Sequence, residues 1–183
     1  MHKKVLSEID LYSGPVECPK GFEINRTQLK NDILQSYATD KRISTNSKDY
    51  SYLDYVSPYS PPLNWFKDYI RDHFNADYRK NLIPKAQWGN VYKQNQQSFL
   101  RNTVDPLNLR ESADYTLVYG VDVSDQSCDI VIEYNANRRA NRTWHEPMKN
   151  DFFVMFPSTQ KYFITSNQSK QLNVLLTITY DSI

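Results

Sequence analysis

Glycine is scarce in this sequence of 183 residues, which contains only Gly14, Gly21, Gly89 and Gly120. P-loop and dinucleotide-binding sites need several glycines close together, because backbone N–H groups must approach the phosphates. No such cluster occurs here. The commonest classes of nucleotide-binding site are therefore excluded.

Cysteine and long apolar runs are also lacking. Cys18 and Cys128 stand alone, without the Cys-x-x-Cys spacing of metal or redox sites, and suit a reducing compartment. A disulfide between them is the less favoured alternative. No run reaches the roughly 18 apolar residues of a membrane span, and charged residues follow the first methionine at once. The sequence predicts neither a membrane span nor a secretion signal.

Charge of either sign is not in excess. Lysine and arginine total 22 and aspartate and glutamate total 21, which gives a net charge of +1. Such a chain has no general field to attract nucleic acid or anionic lipid. We therefore expect no nucleic-acid or membrane partner, and any charged contact must be local.

Aromatic residues are plentiful, at 14% of the chain, and favour β-structure. In the C-terminal half, short runs alternate with turn residues, as in a sandwich or barrel. Val174, Leu176 and Ile178, for example, alternate with their neighbours at the period of a strand. The predicted strands span residues 87–93, 98–104, 115–123, 128–134, 151–156, 161–165 and 172–180.

The N-terminal half has a different pattern. A short strand at residues 6–12 ends in a Ser-Gly-Pro turn at 13–15, and a helix at 25–37 is capped by Asn25. Residues 38–62 fit neither period and predict a long loop or arm. A second helix, capped by Asn64 and ending near Asn81, carries an apolar stripe of Trp65, Phe66, Tyr69, Ile70, His73 and Phe74. We predict one domain, with these elements in 1–84 and a barrel in 85–183.

The order of these features resembles a known family. Two helices precede Trp88-Gly89-Asn90-Val91-Tyr92, several strands follow, and Phe156-Pro157-Ser158 comes before a final β-branched strand. This order resembles the 2-oxoglutarate/Fe(II) oxygenase-like proteins of tailed phages, especially those of marine cyanobacteria. The resemblance implies a double-stranded β-helix, or jelly-roll, barrel.

The same resemblance implies where the functional side chains of the family fall in this chain. The first iron ligands, His-x-Asp or His-x-His, fall on Leu100 and Asn102, and the distal histidine falls on Tyr162. The arginine that grips 2-oxoglutarate falls on Asn173. None of these residues matches the family, and ferrous iron needs two histidines and a carboxylate. The resemblance therefore implies a degenerate metal site and no cofactor.

The three histidines do not rescue such a site. His2 is at the start of the chain, and His73 lies on the apolar side of the second helix, where a packed histidine is expected. His145 follows Trp144 in a segment predicted to be a loop between strands. Any one of them could hold a metal only with ligands from distant parts of the chain.

One segment concentrates positive charge beside aromatic rings. A solvated hairpin is one interpretation, and a partner contact is the other, because arginine and tryptophan are enriched at interface hot spots. The predicted contact residues are Arg138, Arg139, Arg142, Trp144 and His145, with Lys149 nearby.

The absence of the iron ligands predicts a non-catalytic structural protein. The resemblance alone implies that it belongs to the virion of a tailed phage, in its neck, tail or baseplate. Its expected partners are other virion proteins and further copies of itself, as a ring or in several copies, assembled in the host cytoplasm. An active 2-oxoglutarate/Fe(II)-dependent dioxygenase with an atypical metal site is the alternative. A monomeric binding module for sugars or peptides is a third possibility.

Overall fold

The computed structural model describes residues 9–39, 51, 55–56, 60–136 and 139–183. Within them the helices are α1 (Phe22–Thr39) and α2 (Pro61–Tyr78), and a short 3-10 helix spans Leu109–Glu111. The strands are β1 (Tyr12–Pro15), β2 (Tyr55–Val56), β3 (Leu82–Tyr92), β4 (Tyr115–Asp122), β5 (Asp129–Ala136), β6 (Arg139–Pro147), β7 (Phe152–Pro157), β8 (Lys161–Ile164) and β9 (Asn173–Ser182).

The strands form two antiparallel sheets. The larger sheet has the order β1-β7-β4-β9-β3-β2, and the smaller has the order β6-β5-β8. A bridge between Arg101 and Tyr162, and a bond from the Ser98 N–H to the Ile164 carbonyl, attach the segment before β4 to the free side of β8. After β3 the chain crosses to the smaller sheet at residues 98–101, returns for β4, crosses again for the hairpin β5–β6, and then alternates through β7, β8 and β9. This repeated crossing between two sheets is that of a jelly roll and confirms the predicted double-stranded β-helix.

Strand β9 of the larger sheet is buried on both of its faces. Val174, Leu176 and Ile178 point outward into a core shared with the helices. Leu175 points inward, into a second core between the sheets. Because successive side chains point to opposite faces, a strand covered on both sides is apolar along most of its length. The central position of β9 follows from that composition.

The two helices cover the outer face of the larger sheet. Leu29 and Ile33 of α1 and Phe66 and Ile70 of α2 are fully buried there. Neither helix, nor any other helix in the described ranges, is long and apolar enough to cross a membrane.

Both predicted helix caps are wrong. Helix α1 begins at Phe22, so Asn25 lies inside its first turn. Helix α2 begins at Pro61 after the extended Ser60, and the N–H of Asn64 donates to the Ser60 carbonyl. Proline suits a first helical position because its missing N–H would have no partner within the helix there. Helix α2 ends at Tyr78, before the predicted Asn81.

The remaining differences lie in weakly patterned segments. The predicted turn at residues 13–15 belongs to β1, which pairs with β7. Of the predicted strand at 6–12, residues 6–8 lie outside the described residues and 9–11 are not in a strand. Of the predicted arm at 38–62, the described parts are the end of α1, Ser51, β2 and the start of α2. Residues 98–104 contribute one bridge rather than a regular strand.

The largest correction concerns the basic and aromatic segment after β5. It is not a loop, because Arg139–Pro147 forms strand β6 and pairs with β5 from Asp129 opposite Pro147 to Ala136 opposite Arg139. The residues from Arg142 to His145 are all exposed, so no alternation of apolar and polar residues marked the strand. The first barrel strand also begins earlier than the predicted residue 85, since β3 starts at Leu82.

Burial of one thiol and two tyrosine hydroxyl groups predicts a loss of stability at alkaline pH. Burial raises the pKa of Cys128 to about 11 from 9.0, and raises the pKa of Tyr119 and Tyr180 above the usual 10.0. Folding therefore favours the protonated forms, and this contribution is complete below the unfolded pKa and is lost as pH rises through the folded pKa. For Cys128 alone the loss is on the order of 2 kcal/mol between pH 9 and 11.

Urea unfolding at a series of pH values measures this effect. The wild-type free energy of unfolding is expected to fall above about pH 9, and a Cys128→Ala variant is expected to show a shallower fall. Equal slopes for the two proteins would contradict the assignment to the thiol.

Candidate functional site

The space between the two sheets is filled with large side chains. Tyr92, Val118, Phe156, Tyr162 and Leu175 pack together there, and each is 2% exposed or less. A ring-to-ring contact of 5.1 Å joins Phe156 to Tyr162 edge-on. The barrel interior is therefore mostly apolar core in this region.

A cation lies at the edge of this core. The guanidinium carbon of Arg101 lies 5.8 Å from the centre of the Trp88 ring and 5.7 Å from that of the Tyr162 ring. The backbone groups of Arg101 and Tyr162 exchange hydrogen bonds of 2.9 and 2.7 Å across their bridge. Attraction between a guanidinium and aromatic faces is strongest where water is excluded, so the two rings hold the arginine in place.

Hydroxyl groups line the same part of the barrel. Thr116 and Ser158 are fully buried, and their oxygens are 2.8 Å apart. The Thr103 hydroxyl makes a short hydrogen bond to that of Thr116. Because these hydroxyl groups bond to one another, they are satisfied without a ligand.

The register of residues 100–103 decides which side chains face this region. Leu100 is 45% exposed and Asn102 is exposed, whereas Arg101 contacts the buried Tyr162 and Thr103 contacts the buried Thr116. Alternation along an extended chain gives this result. The inward-facing residues of this segment are thus Arg101 and Thr103, each one residue beyond Leu100 and Asn102, the positions that the resemblance implies for the first iron ligands.

Tyr162, the position that the resemblance implies for the distal histidine, faces inward. It is 2% exposed and lies directly across the bridge from Arg101. The three positions at issue therefore carry arginine, threonine and tyrosine.

Asn173 lies at the start of β9 and has a structural role. Its side-chain oxygen accepts a bond of 3.1 Å from the Ser124 N–H, and its amide nitrogen donates to Ser127 Oγ at 2.8 Å and to Cys128 Sγ at 3.3 Å. The side chain is fully buried. Asn173 thus fastens the turn between β4 and β5, where the resemblance implies a co-substrate arginine.

These side chains do not fit ferrous iron. A guanidinium has five donors and no acceptor, so Arg101 cannot be a metal ligand, and its fixed charge repels a cation. Threonine and tyrosine do not replace a carboxylate and a histidine in a facial triad. Across the part of the chain that the structure describes, no three His, Cys, Asp or Glu side chains are grouped as a metal site requires.

The histidines are not part of this region. His73 is exposed on α2, where its ring lies 3.9 Å from that of Tyr69, rather than packed in the core as predicted. His145 is exposed on β6. His2 lies outside the described residues.

The predicted contact residues are divided between the faces of β6. Arg142 and Trp144 lie two residues apart on one face, and His145 lies on the other. The Trp144 side chain is 50% exposed, and its Nε1 donates to Glu146 at 3.2 Å. Arg138 lies outside the described residues, and Arg139 is the first residue of β6.

Trp144 also borders an apolar cavity of about 140 Å³ between the smaller sheet and the N-terminal segment. The side chains around it include Ile9, Leu11, Ile132, Tyr134 and Phe156.

Sequence reasoning missed Trp88, Arg101, Thr103 and Thr116 as members of one cluster. The segment 98–103 makes a single bridge, so its alternation could not be phased from the sequence. The one signal in the sequence is that Arg101 lies between Leu100 and Asn102, the two positions that the resemblance implies for the first iron ligands.

No protein-family model matches this sequence, and no curated protein matches it. Solved structures do match. A non-heme alpha ketoglutarate dependent carbocyclase, SnoK, from nogalamycin biosynthesis superposes with a TM-score of 0.67 over 93% of this chain and 78% of that one, at 8% identity. The fold is that of the 2-oxoglutarate/Fe(II) oxygenases.

Two prolyl hydroxylases have the same fold. The viral collagen prolyl hydroxylase of Paramecium Bursaria Chlorella virus-1 gives a TM-score of 0.60 at 10% identity, covering 93% of this chain and 94% of that one. A Pseudomonas putida prolyl-4-hydroxylase gives 0.59 at 9% identity, covering 93% and 91%. At these identities the likeness establishes the oxygenase-like fold alone.

Proposed function

We propose that this chain is a non-catalytic protein built on an oxygenase-like barrel, and that it acts through contacts of its surface. The observation that carries the proposal is the position of Arg101. Its guanidinium lies on the inward face beside the rings of Trp88 and Tyr162, next to the positions that the resemblance implies for the first iron ligands.

Three features support loss of the metal centre rather than variation within it. Arg101 cannot donate a lone pair to a metal, Thr103 is engaged with Thr116, and Tyr162 is packed against Phe156. The amide of Asn173 is committed to the turn before β5. One changed ligand is compatible with an altered enzyme. Changes at three metal positions and at the co-substrate position together favour a scaffold without catalytic activity.

The finer proposal is a component of a tailed-phage virion, in the neck, tail or baseplate, with other virion proteins as partners. It rests on the resemblance of the sequence to phage proteins. Purified phage particles that contain the protein in a fixed ratio to the major capsid protein would support it. Particles that lack it after gradient purification would contradict it.

The second candidate is an active 2-oxoglutarate/Fe(II)-dependent dioxygenase with an atypical metal site. The solved structures favour it, because they include oxygenases that superpose over 93% of this chain. It would require two histidines or equivalent ligands from outside the cluster around Arg101.

Iron content separates the two candidates. After anaerobic reconstitution with Fe(II) and removal of unbound metal, we expect iron far below one equivalent per chain, and no iron-dependent conversion of 2-oxoglutarate to succinate. Near-equimolar iron together with succinate release would establish the second candidate instead.

A further inference from the structure

The smaller sheet has an open edge. Its order is β6-β5-β8, so β6 has a neighbouring strand on one side only among the described residues. An unpaired strand edge presents a row of N–H and C=O groups to any chain that can add a further strand.

The register between β5 and β6 identifies the groups on that edge. The Met148 N–H donates to the Cys128 carbonyl at 3.0 Å, so hydrogen-bonded pairs recur at every second residue, at Glu146, Trp144 and Arg142. Residues between them direct their N–H and C=O groups away from β5. Thr143 and His145 are therefore the donors and acceptors of the open edge.

Three side chains accompany this edge on one face of the strand. Arg142, Trp144 and Glu146 are spaced by two residues and share that face. Arg142 and Trp144 are exposed, and Glu146 is half-buried. Along the strand this face carries a positive, an aromatic and a negative side chain. A second copy of the strand running antiparallel therefore places a negative side chain opposite the positive one, and a positive side chain opposite the negative one.

We propose that β6 is a homodimer interface, in which two copies of this chain pair their β6 strands antiparallel around a two-fold axis at Trp144. Thr143 then forms hydrogen-bonded pairs with the partner's His145, and the partner's Thr143 pairs with His145. Arg142 faces the partner's Glu146, and Glu146 faces the partner's Arg142. The two smaller sheets become one sheet of six strands.

Charge complementarity selects this register over its neighbours. Sliding one strand by two residues places Arg142 opposite either the partner's Trp144 or its Met148, and both ion pairs are lost. Opposite charges directly across an antiparallel pair stabilise it, whereas like charges destabilise it. A second copy is therefore a better occupant of this edge than an unrelated strand, because its residues already supply the matching charges.

The aromatic contact fits the same arrangement. The Trp144 residues of the two copies meet in a pair without mutual backbone bonds, where side chains are closest. Each ring lies beside the apolar cavity bordered by Ile9 and Tyr134. Half of the Trp144 surface is exposed in the single chain, so dimerisation removes apolar surface from water. This interface is independent of whether the barrel holds a metal.

Sedimentation equilibrium with proline and alanine variants tests the backbone pairing. The wild-type protein is expected to sediment as a dimer, at twice the chain mass of 21.6 kDa. Thr143→Pro removes an N–H that has no role in the β5 pairing, and proline is tolerated at such an edge position. We expect a folded monomer from this variant and a dimer from Thr143→Ala, which keeps the N–H. A monomeric wild type, or a dimer unaffected by Thr143→Pro, would overturn the proposal.

Charge exchange tests the register. Arg142→Glu and Glu146→Arg should each weaken the dimer at least about tenfold, because both symmetric ion pairs become repulsive. An equimolar mixture of the two variants should regain the dimer, since a heterodimer pairs opposite charges at both sites. Failure of the mixture to associate, with both variants folded, would exclude this register.

Discussion

Gly120→Ala is expected to destabilise the folded protein by about 3 kcal/mol or more. A Cβ atom on Gly120 would overlap the carbonyl oxygen of Lys149 and lie 2.8 Å from its carbonyl carbon. That backbone is not free to move, because the Asp151 N–H donates to the Gly120 carbonyl at 3.1 Å and the Met148 N–H donates to Cys128 at 3.0 Å. The glycine is therefore required by the close approach of two chain segments.

Gly14→Ala is the matched control. A Cβ atom there would meet only a ring atom of Phe153, at the ordinary distance of 4.0 Å. Urea unfolding of both variants should show a change within about 0.5 kcal/mol for Gly14→Ala and the large loss for Gly120→Ala. A mild effect at Gly120 would mean that β4 and the segment after β6 are farther apart than described.

A rebuilt metal site is the second large effect that we expect. Histidine, aspartate and histidine introduced together at Arg101, Thr103 and Tyr162 should remove the cation and supply a facial triad on the inward face. Cobalt binding, followed by absorption spectroscopy, should rise at least about a hundredfold above that of the wild type. Tyr162→His alone should leave binding unchanged, because one imidazole does not form a triad.

The matched control places the same three residues at Leu100, Asn102 and Tyr162. The first two side chains point outward, so this triple variant should not bind cobalt above the wild-type level. Unfolding curves show whether both triple variants fold. If both variants fold and the one altered at Leu100, Asn102 and Tyr162 binds cobalt more tightly, then Leu100 and Asn102, rather than Arg101 and Thr103, face the barrel interior.

Much of the fold can be predicted from the sequence, because a buried face requires apolar residues at the period of its helix or strand. In β9 the apolar residues on both faces define a central strand, and α2 carries Phe66, Ile70 and Phe74 on one side. β6 was missed because its edge position leaves it exposed, so neither face needed apolar residues. The composition of β6 indicates a contact surface, but it carries no signal of a strand.

The resemblance implies Leu100 and Asn102 as site positions, whereas the inward-facing residues are their neighbours Arg101 and Thr103. Tyr162 follows the buried Phe156 closely in the chain and is itself buried. Arg101 depends on the phase of a segment with a single bridge, and only the contact with Tyr162 fixes that phase. In a regular helix or strand, the local sequence pattern shows which side chains face the core. In an irregular segment such as residues 98–103, only tertiary contacts fix that orientation.

The central claim is that Arg101 and its neighbours leave no ferrous-iron site in the barrel. The most direct measurement is an anaerobic calorimetric titration of the wild-type protein with Fe(II), in the presence and absence of 2-oxoglutarate. The account predicts no saturable Fe(II) binding under either condition, because Arg101 has no lone pair to offer and Asn173, which is committed to the turn before β5, cannot anchor 2-oxoglutarate beside a metal. Binding of one Fe(II) per chain, tightened by 2-oxoglutarate, would contradict it.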